Sequence, residues 1–313
     1  MKIRRTTYFK IIAIALSVLI TLFLLDIFMH AGKDVTDKNN YQALNDSINR
    51  TNKAFADLNP HGFTDSVRTE EKPAGTFRVA VIGDSFIWGD GLPWPKVWSH
   101  KLGSKINEQY DHVETLSWGR NGWSTLDEYN FFVTKGYRYH IDLLLFGFVH
   151  NDPDMGDYTH MNPLWYSRLG FMYKIFPRLT GTVLDYLYNG SYARWMKKLY
   201  SEKNLKKYAS LLADIKGLEK KHLLKVAFVL TPNSIHDDNK VLFPQIEALL
   251  KEADITCINL LPPMQATFAD TPPDSLKANP ANSHPGDLLT GFYADEVFKY
   301  ITENALIDSI YLK

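Results

Sequence analysis

Ser85 follows a run of β-forming apolar residues, Phe77 to Ile82, and a Gly83-Asp84 pair. That spacing sets a hydroxyl where a buried strand hands over to the next element. A serine hydroxyl is nearly inert at its own pKa, so nucleophilic catalysis would need a base for its proton and donors for the charge that develops on a carbonyl oxygen. Three later positions offer such groups. Ser117-Trp118-Gly119-Arg120-Asn121-Gly122 follows a second apolar run, and its glycines let backbone N–H groups come close to a ligand. His150-Asn151-Asp152 follows a third run with a side-chain amide, and Ser283-His284-Pro285-Gly286, near the C-terminus, supplies a candidate base. Taken singly, each has an ordinary structural explanation: a Gly-Asp turn, a Gly-rich turn, an Asn-Asp helix cap, a surface histidine.

The elements that must position these residues alternate. Strands are predicted over Phe77 to Ile82, Val113 to Ser117, Ile141 to Phe148, Leu224 to Leu230 and Ile255 to Leu260. Amphipathic helices are predicted between them, near Pro95 to Asn107, Thr125 to Thr134, Leu205 to Lys220 and Val241 to Glu252, with a last one near Asp287 to Ile301. Strands apolar on both faces, alternating with helices, imply a parallel sheet covered on both sides. In such sheets ligands sit beyond the carboxyl ends of the strands, which is where Ser85 falls. One stretch breaks the alternation. Residues from about Pro153 carry Trp165, Tyr166, Phe171, Tyr173, Phe176, Tyr186, Tyr188, Tyr192 and Trp195 with three arginines among them. It reads as a helical insertion over about 153–203 that packs on the domain or caps a site, since aromatic faces suit sugar rings and membrane interfaces alike.

In this order and at these strand ends, VAVIGDSF, WGRNGWST, HND and SHPG resemble the four blocks of the SGNH, or GDSL-type, hydrolase family of the membrane-anchored bacterial envelope kind. The resemblance spans about Asn59 to Ile301. It implies a three-layer α/β/α fold with a mainly parallel, flavodoxin-like sheet of about five strands. It also implies a serine ester hydrolase in which Ser85 attacks an ester carbonyl after His284 takes its proton. The oxyanion would be held by the backbone N–H groups of Ser85 and Gly119 and by the amide of Asn151, with Asp84 bracing the turn. The expected substrates are O-acyl groups, acetyl foremost, on a cell-envelope or exported polysaccharide. O-acyl transfer to the same glycans, a lipid esterase or thioesterase, and a binding or scaffold subunit with weakened turnover are the alternatives.

Two departures stand out. Val149 occupies a position that is usually glycine in the family. Ala281 and Asn282 stand where the family usually carries an aspartate to orient the histidine. Asn282 itself, Asp274 or Asp270 from the preceding loop, or a backbone carbonyl could do this instead; otherwise activity is weakened or lost. His150, His160 and His236 are other bases whose spacing singles none of them out.

Composition bounds the rest. The 313 residues carry 35 basic and 35 acidic side chains, so nothing argues for nucleic-acid binding. A single cysteine, Cys257, excludes an intramolecular disulfide and any multi-cysteine metal site. Scattered histidines show no metal-ligand spacing, and no cofactor is expected. At the N-terminus Lys2, Arg4, Arg5 and Lys10 precede the uncharged apolar stretch Ile11 to Leu25. This predicts an uncleaved signal anchor over 1–31, in preference to a cleaved signal peptide, with the N-terminus cytoplasmic and the remainder periplasmic or extracellular. A polar juxtamembrane stalk is expected over 32–74, and the hydrolase-like domain over 75–313.

Overall fold

In the computed structural model each of the five apolar runs is a strand. The structure describes residues 5–28, 35–156, 175–176, 190, 192–234 and 239–313. Most of the aromatic insertion expected over 153–203 lies outside the described residues, including Trp165, Tyr166 and Tyr186, as do His160 and His236.

The chain opens with helices α1 (Arg5–Phe28) and α2 (Val35–Ala56), then β1 (Phe77–Gly83), the one-turn α3 (Ser85–Trp88), α4 (Trp98–Gln109), β2 (Val113–Gly119), α5 (Thr125–Thr134) and β3 (Leu143–Phe148). It continues with α6 (Glu202–His222), β4 (Lys225–Leu230), α7 (Asn239–Glu252), β5 (Thr256–Asn259) and α8 (Leu261–Thr267). A hairpin of β6 (Lys277–Asn279) and β7 (Asn282–Pro285) leads into α9 (Asp287–Glu303). The five strands β1 to β5 are all parallel, in the order β2-β1-β3-β4-β5. This is the doubly wound, flavodoxin-like order, whose crossover connections put helices on both faces.

Alternation along β1 shows how the layers form. Val79 and Val81 face one core with Trp98, Leu102 and Ile106 of α4 and Leu289, Tyr293 and Val297 of α9. Ala80 and Ile82 face the other, with Phe132 of α5, Leu212 and Ile215 of α6 and Phe243 of α7. Both sets are fully buried, so a polar substitution on either face of β1 meets a dry core. Cys257 lies on β5, where burial pushes its thiol up to about 12 and leaves it a poor nucleophile.

Thr7–Leu25, within α1, is long and apolar enough to cross a membrane by length and composition, with a mean hydropathy of 2.4; signal sequences share that property. The segment beyond it, expected as a polar stalk, carries helix α2. Helix α2 lies against the α/β body through a polar face: Asn45 and Asn52 are buried, with Asn49 between them. Asn52 Nδ2 donates to the carbonyls of Gly89 and Leu92, each at 2.8 Å, and its Oδ1 accepts the Trp94 N–H at 3.0 Å. Phe55 stacks on Trp94 with ring centroids 4.2 Å apart. A helical repeat written in asparagine carries no apolar period, which is why a search for hydrophobic periodicity passes over it.

Candidate active site

Gly83 at the end of β1 pairs in register with Gly119 of β2 on one side and Gly147 of β3 on the other. The three strands therefore finish level, and Ser85, Gly119 and Asn151 leave the sheet at one edge. Asp84 shapes the first exit. Its Oδ1 accepts the Phe86 N–H at 2.8 Å and caps α3, so that Ser85 opens the helix. Gly119 is required by what sits on it: a Cβ there would lie 2.3 Å from the Trp88 nitrogen and 2.4 Å from the Ile87 carbonyl carbon. Both are main-chain atoms, so α3 can seat this close to β2 only above a glycine.

The third exit is a turn braced from within. Asp152 Oδ2 accepts the Val149 N–H at 2.7 Å, and the Asp152 N–H returns to the Val149 carbonyl at 3.0 Å. The Thr125 N–H adds a 3.3 Å bond to the Asp152 carbonyl, tying the turn to α5. Val149 is 1 % exposed and contributes to the core. Asn151, half-buried, stands within this turn.

The β6-β7 hairpin brings His284 to Ser85 across 199 residues of sequence. Its Nε2 lies 2.9 Å from Ser85 Oγ, and its ring meets Phe86 edge to face at 5.6 Å between centroids. Its Nδ1 is 2.6 Å from Asn282 Oδ1, which also accepts the backbone N–H of His284 at 3.0 Å. An amide oxygen facing two nitrogens must accept from both. Nδ1 therefore carries the proton, and Nε2 turns its lone pair to Ser85. Asp274, another of the residues expected to orient this ring, instead accepts from Lys277 Nζ at 2.7 Å. Ser85 Oγ is also 3.1 Å from Asp84 Oδ2, so its one proton can serve Asp84 or His284 but not both. Donation to His284 is the arrangement from which the oxygen can attack.

Sequence reasoning passed over two features here. One is Gly89-Asp90-Gly91, directly after α3. Gly91 has φ of +71°, and a Cβ on it would lie 2.1 Å from Asn282 Nδ2, so the tripeptide forms a seat for Asn282. An acid between two glycines a few residues beyond a candidate nucleophile was the available signal. The other is a set of carboxyls beneath the strand ends, Asp84, Glu128 and Asp152, which are 3 %, 0 % and 0 % exposed. Nothing in their spacing announces them.

Burial pushes all three of these carboxyls up, and mutual repulsion adds to it for Glu128 and Asp152. Asp127 adds to that repulsion, and the Tyr208 hydroxyl nearby is pushed up by the same burial. Glu128 Oε1 and Oε2 and Asp152 Oδ1 have no hydrogen-bond partner among the described residues. Among those residues, too, no group of three or more His, Cys, Asp or Glu is arranged to hold a metal ion. Glu128 therefore stays protonated at pH values where an unfolded chain would have ionised it. The folded state then binds more protons than the unfolded one, so this group's contribution to stability is complete below about 4.3 and is lost as pH rises from there through the folded-state value. Glu128→Gln should remove that loss. Melting curves should show it leaving the midpoint at pH 4 nearly unchanged and raising it at pH 8, by about 2–4 °C for each kcal/mol recovered. Equal shifts at both pH values would mean that Glu128 is ionised in the folded protein.

No protein-family model matches the chain, and no curated protein matches it by sequence. Solved structures similar to it include Axe2, an acetylxylan esterase from Geobacillus stearothermophilus, at 11 % identity and a TM-score of 0.47, over 74 % of this chain and 96 % of that one. The psychrotrophic esterase EstA from Pseudoalteromonas sp. matches at 12 % identity and 0.44, over 73 % and 98 % of the two chains. A lipase/acylhydrolase from Enterococcus faecalis matches at 13 % and 0.41, over 76 % and 98 %. At such distances the site is defined by this chain's own geometry.

Proposed function

We propose that the chain is a serine ester hydrolase that removes O-acyl groups, acetyl foremost, from a cell-envelope or exported polysaccharide. The observation that carries this reading is the 2.9 Å contact between Ser85 Oγ and Nε2 of His284, because it pairs a weak nucleophile with the base it needs. Ser85 Oγ attacks the ester carbonyl carbon while its proton passes to Nε2, and the carbonyl π pair moves onto oxygen. The backbone N–H groups of Ser85 and Gly119 and the amide of Asn151 hold that oxyanion. Collapse breaks the bond to the sugar oxygen, which takes the proton from Nε2 and leaves an acyl group on Ser85. A water molecule, deprotonated by the same nitrogen, then adds to the acyl carbon. The free acid departs and Ser85 regains its proton.

The glycan part of the proposal rests on location and on the family resemblance of the four blocks. An apolar α1 preceded by basic residues supports a single-pass anchor, N-terminus inside, with the α/β body on the envelope side of the membrane. A serine-reactive phosphonate tests the chemistry directly on the full-length protein in detergent. The expected result is one covalent adduct, on the peptide containing Ser85, together with acetate released from an O-acetylated glycan. Folded protein that takes no label overturns the enzyme reading. Acyl groups appearing on an acceptor glycan, with no free acid, would make the protein a transferase.

A further inference from the structure

Asn282 is an incomplete substitute for the acid that a serine-histidine pair ordinarily uses. A carboxylate presents only acceptors to Nδ1, whereas an amide can present its NH2 and hold the wrong tautomer, a fault worth about four orders of magnitude in a serine protease. Something must keep this amide from turning over. The Asn282 Nδ2 faces Asp90, at 3.2 Å from its Oδ1 and 3.4 Å from its carbonyl. Turned over, Asn282 would set its NH2 against the backbone N–H of His284 and its oxygen against the carboxylate and carbonyl of Asp90. The Gly89-Asp90-Gly91 seat leaves no room for a side chain at Gly91, and the Asp90 N–H is tied back to the Ser85 carbonyl at 3.2 Å.

Asp90 is itself held in place. Asn49 of α2 donates to the same Oδ1 at 3.0 Å while its own oxygen accepts the Gly91 N–H at 2.9 Å. One turn earlier, Asn45 Oδ1 accepts from Asn279 of β6 at 2.5 Å, joining the helix to the hairpin that carries His284. From this network we infer that Asp90 is the acid of the site, acting one residue removed, in a Ser85-His284-Asn282-Asp90 relay with α2 as its outer support. Asp90 fixes the amide orientation, hence the tautomer of His284, and its charge reaches the imidazolium through the aligned amide dipole. Asp84 is the other carboxyl that faces His284, and the groups of α2 that contact Asp90 and Gly91 are neutral.

The inference rests on the roles proposed for Ser85 and His284, and a relocation of the charge tests it. In full-length protein, Asp90→Asn should lower kcat toward an aryl acetate by about 10–100-fold, with KM within about twofold. The acid limb of kcat/KM should move down, because the imidazolium loses a nearby opposite charge. Adding Asn282→Asp to that variant puts the carboxylate directly on Nδ1 and should restore most of the rate and the acid limb. A purely structural role for Asp90 predicts no such rescue. A wild-type rate and profile in Asp90→Asn, or a double variant no better than the single one, overturns the relay. If the wild type shows no hydrolysis, imidazole NMR titration of His284 still decides: an unmoved pKa in Asp90→Asn removes the relay whatever the reaction proves to be.

Discussion

Ser85→Ala is expected to lower kcat for a short-chain aryl ester by about a million-fold, with KM changed by no more than about twofold. Alanine removes the oxygen that attacks and leaves Asp84 still capping α3 through the Phe86 N–H, so the fold should persist. His284→Ala should cost nearly as much, and the double variant should be no worse than either single one, because a nucleophile and its base act as a unit. Steady-state rates alongside a circular dichroism melt give the measurement. A variant that melts like the wild type and still turns over at a tenth of its rate would remove Ser85 as the nucleophile. The thiol of Cys257, with its proton held up to about 12, offers no substitute.

Asn151→Ala should lower kcat by about 10²–10³, the usual worth of one preorganised oxyanion donor, and leave KM nearly unchanged. The turn itself should survive, since its bonds come from the Asp152 carboxylate and from main-chain groups of Val149, Asp152 and Thr125. A loss in kcat without loss of stability then reads as a missing transition-state contact. Asn151→Asp should be at least as damaging, because it sets a carboxylate where negative charge must develop. If Asn151→Ala weakens substrate binding and turnover in equal proportion, the amide binds the ground state and the oxyanion is held elsewhere.

Much of this was legible before any fold was known. The five strands and the helices between them follow from runs that are apolar on both faces alternating with runs apolar on one, a contrast that needs only local sequence. Ser85, Gly119 and Asn151 could be assigned to one edge because parallel strands expose their carboxyl ends together. Helix α2 was not legible. The face it turns to the body carries Asn45, Asn49, Asn52 and Ala56, a helical spacing without an apolar stripe, so packing there is driven by amide hydrogen bonds to turns that sequence cannot anticipate. Glu128 and Asp152 were hidden for a related reason: charged residues are normally exposed, and only the packing of α5 under the β3 turn reveals that these are not.

The amino-acid order by itself determined the doubly wound sheet and the position of Ser85 at a strand end, because both depend on periodicity and on the residue types that flank a turn. Tertiary structure alone decided how His284 is oriented. An asparagine two residues before a histidine is chemically ambiguous, able to offer either an oxygen or an NH2. The choice is made by Asp90, 192 residues away in sequence, lodged between two glycines and held from behind by Asn49. Long-range hydrogen bonds of that kind belong to the fold and leave no local trace in the chain.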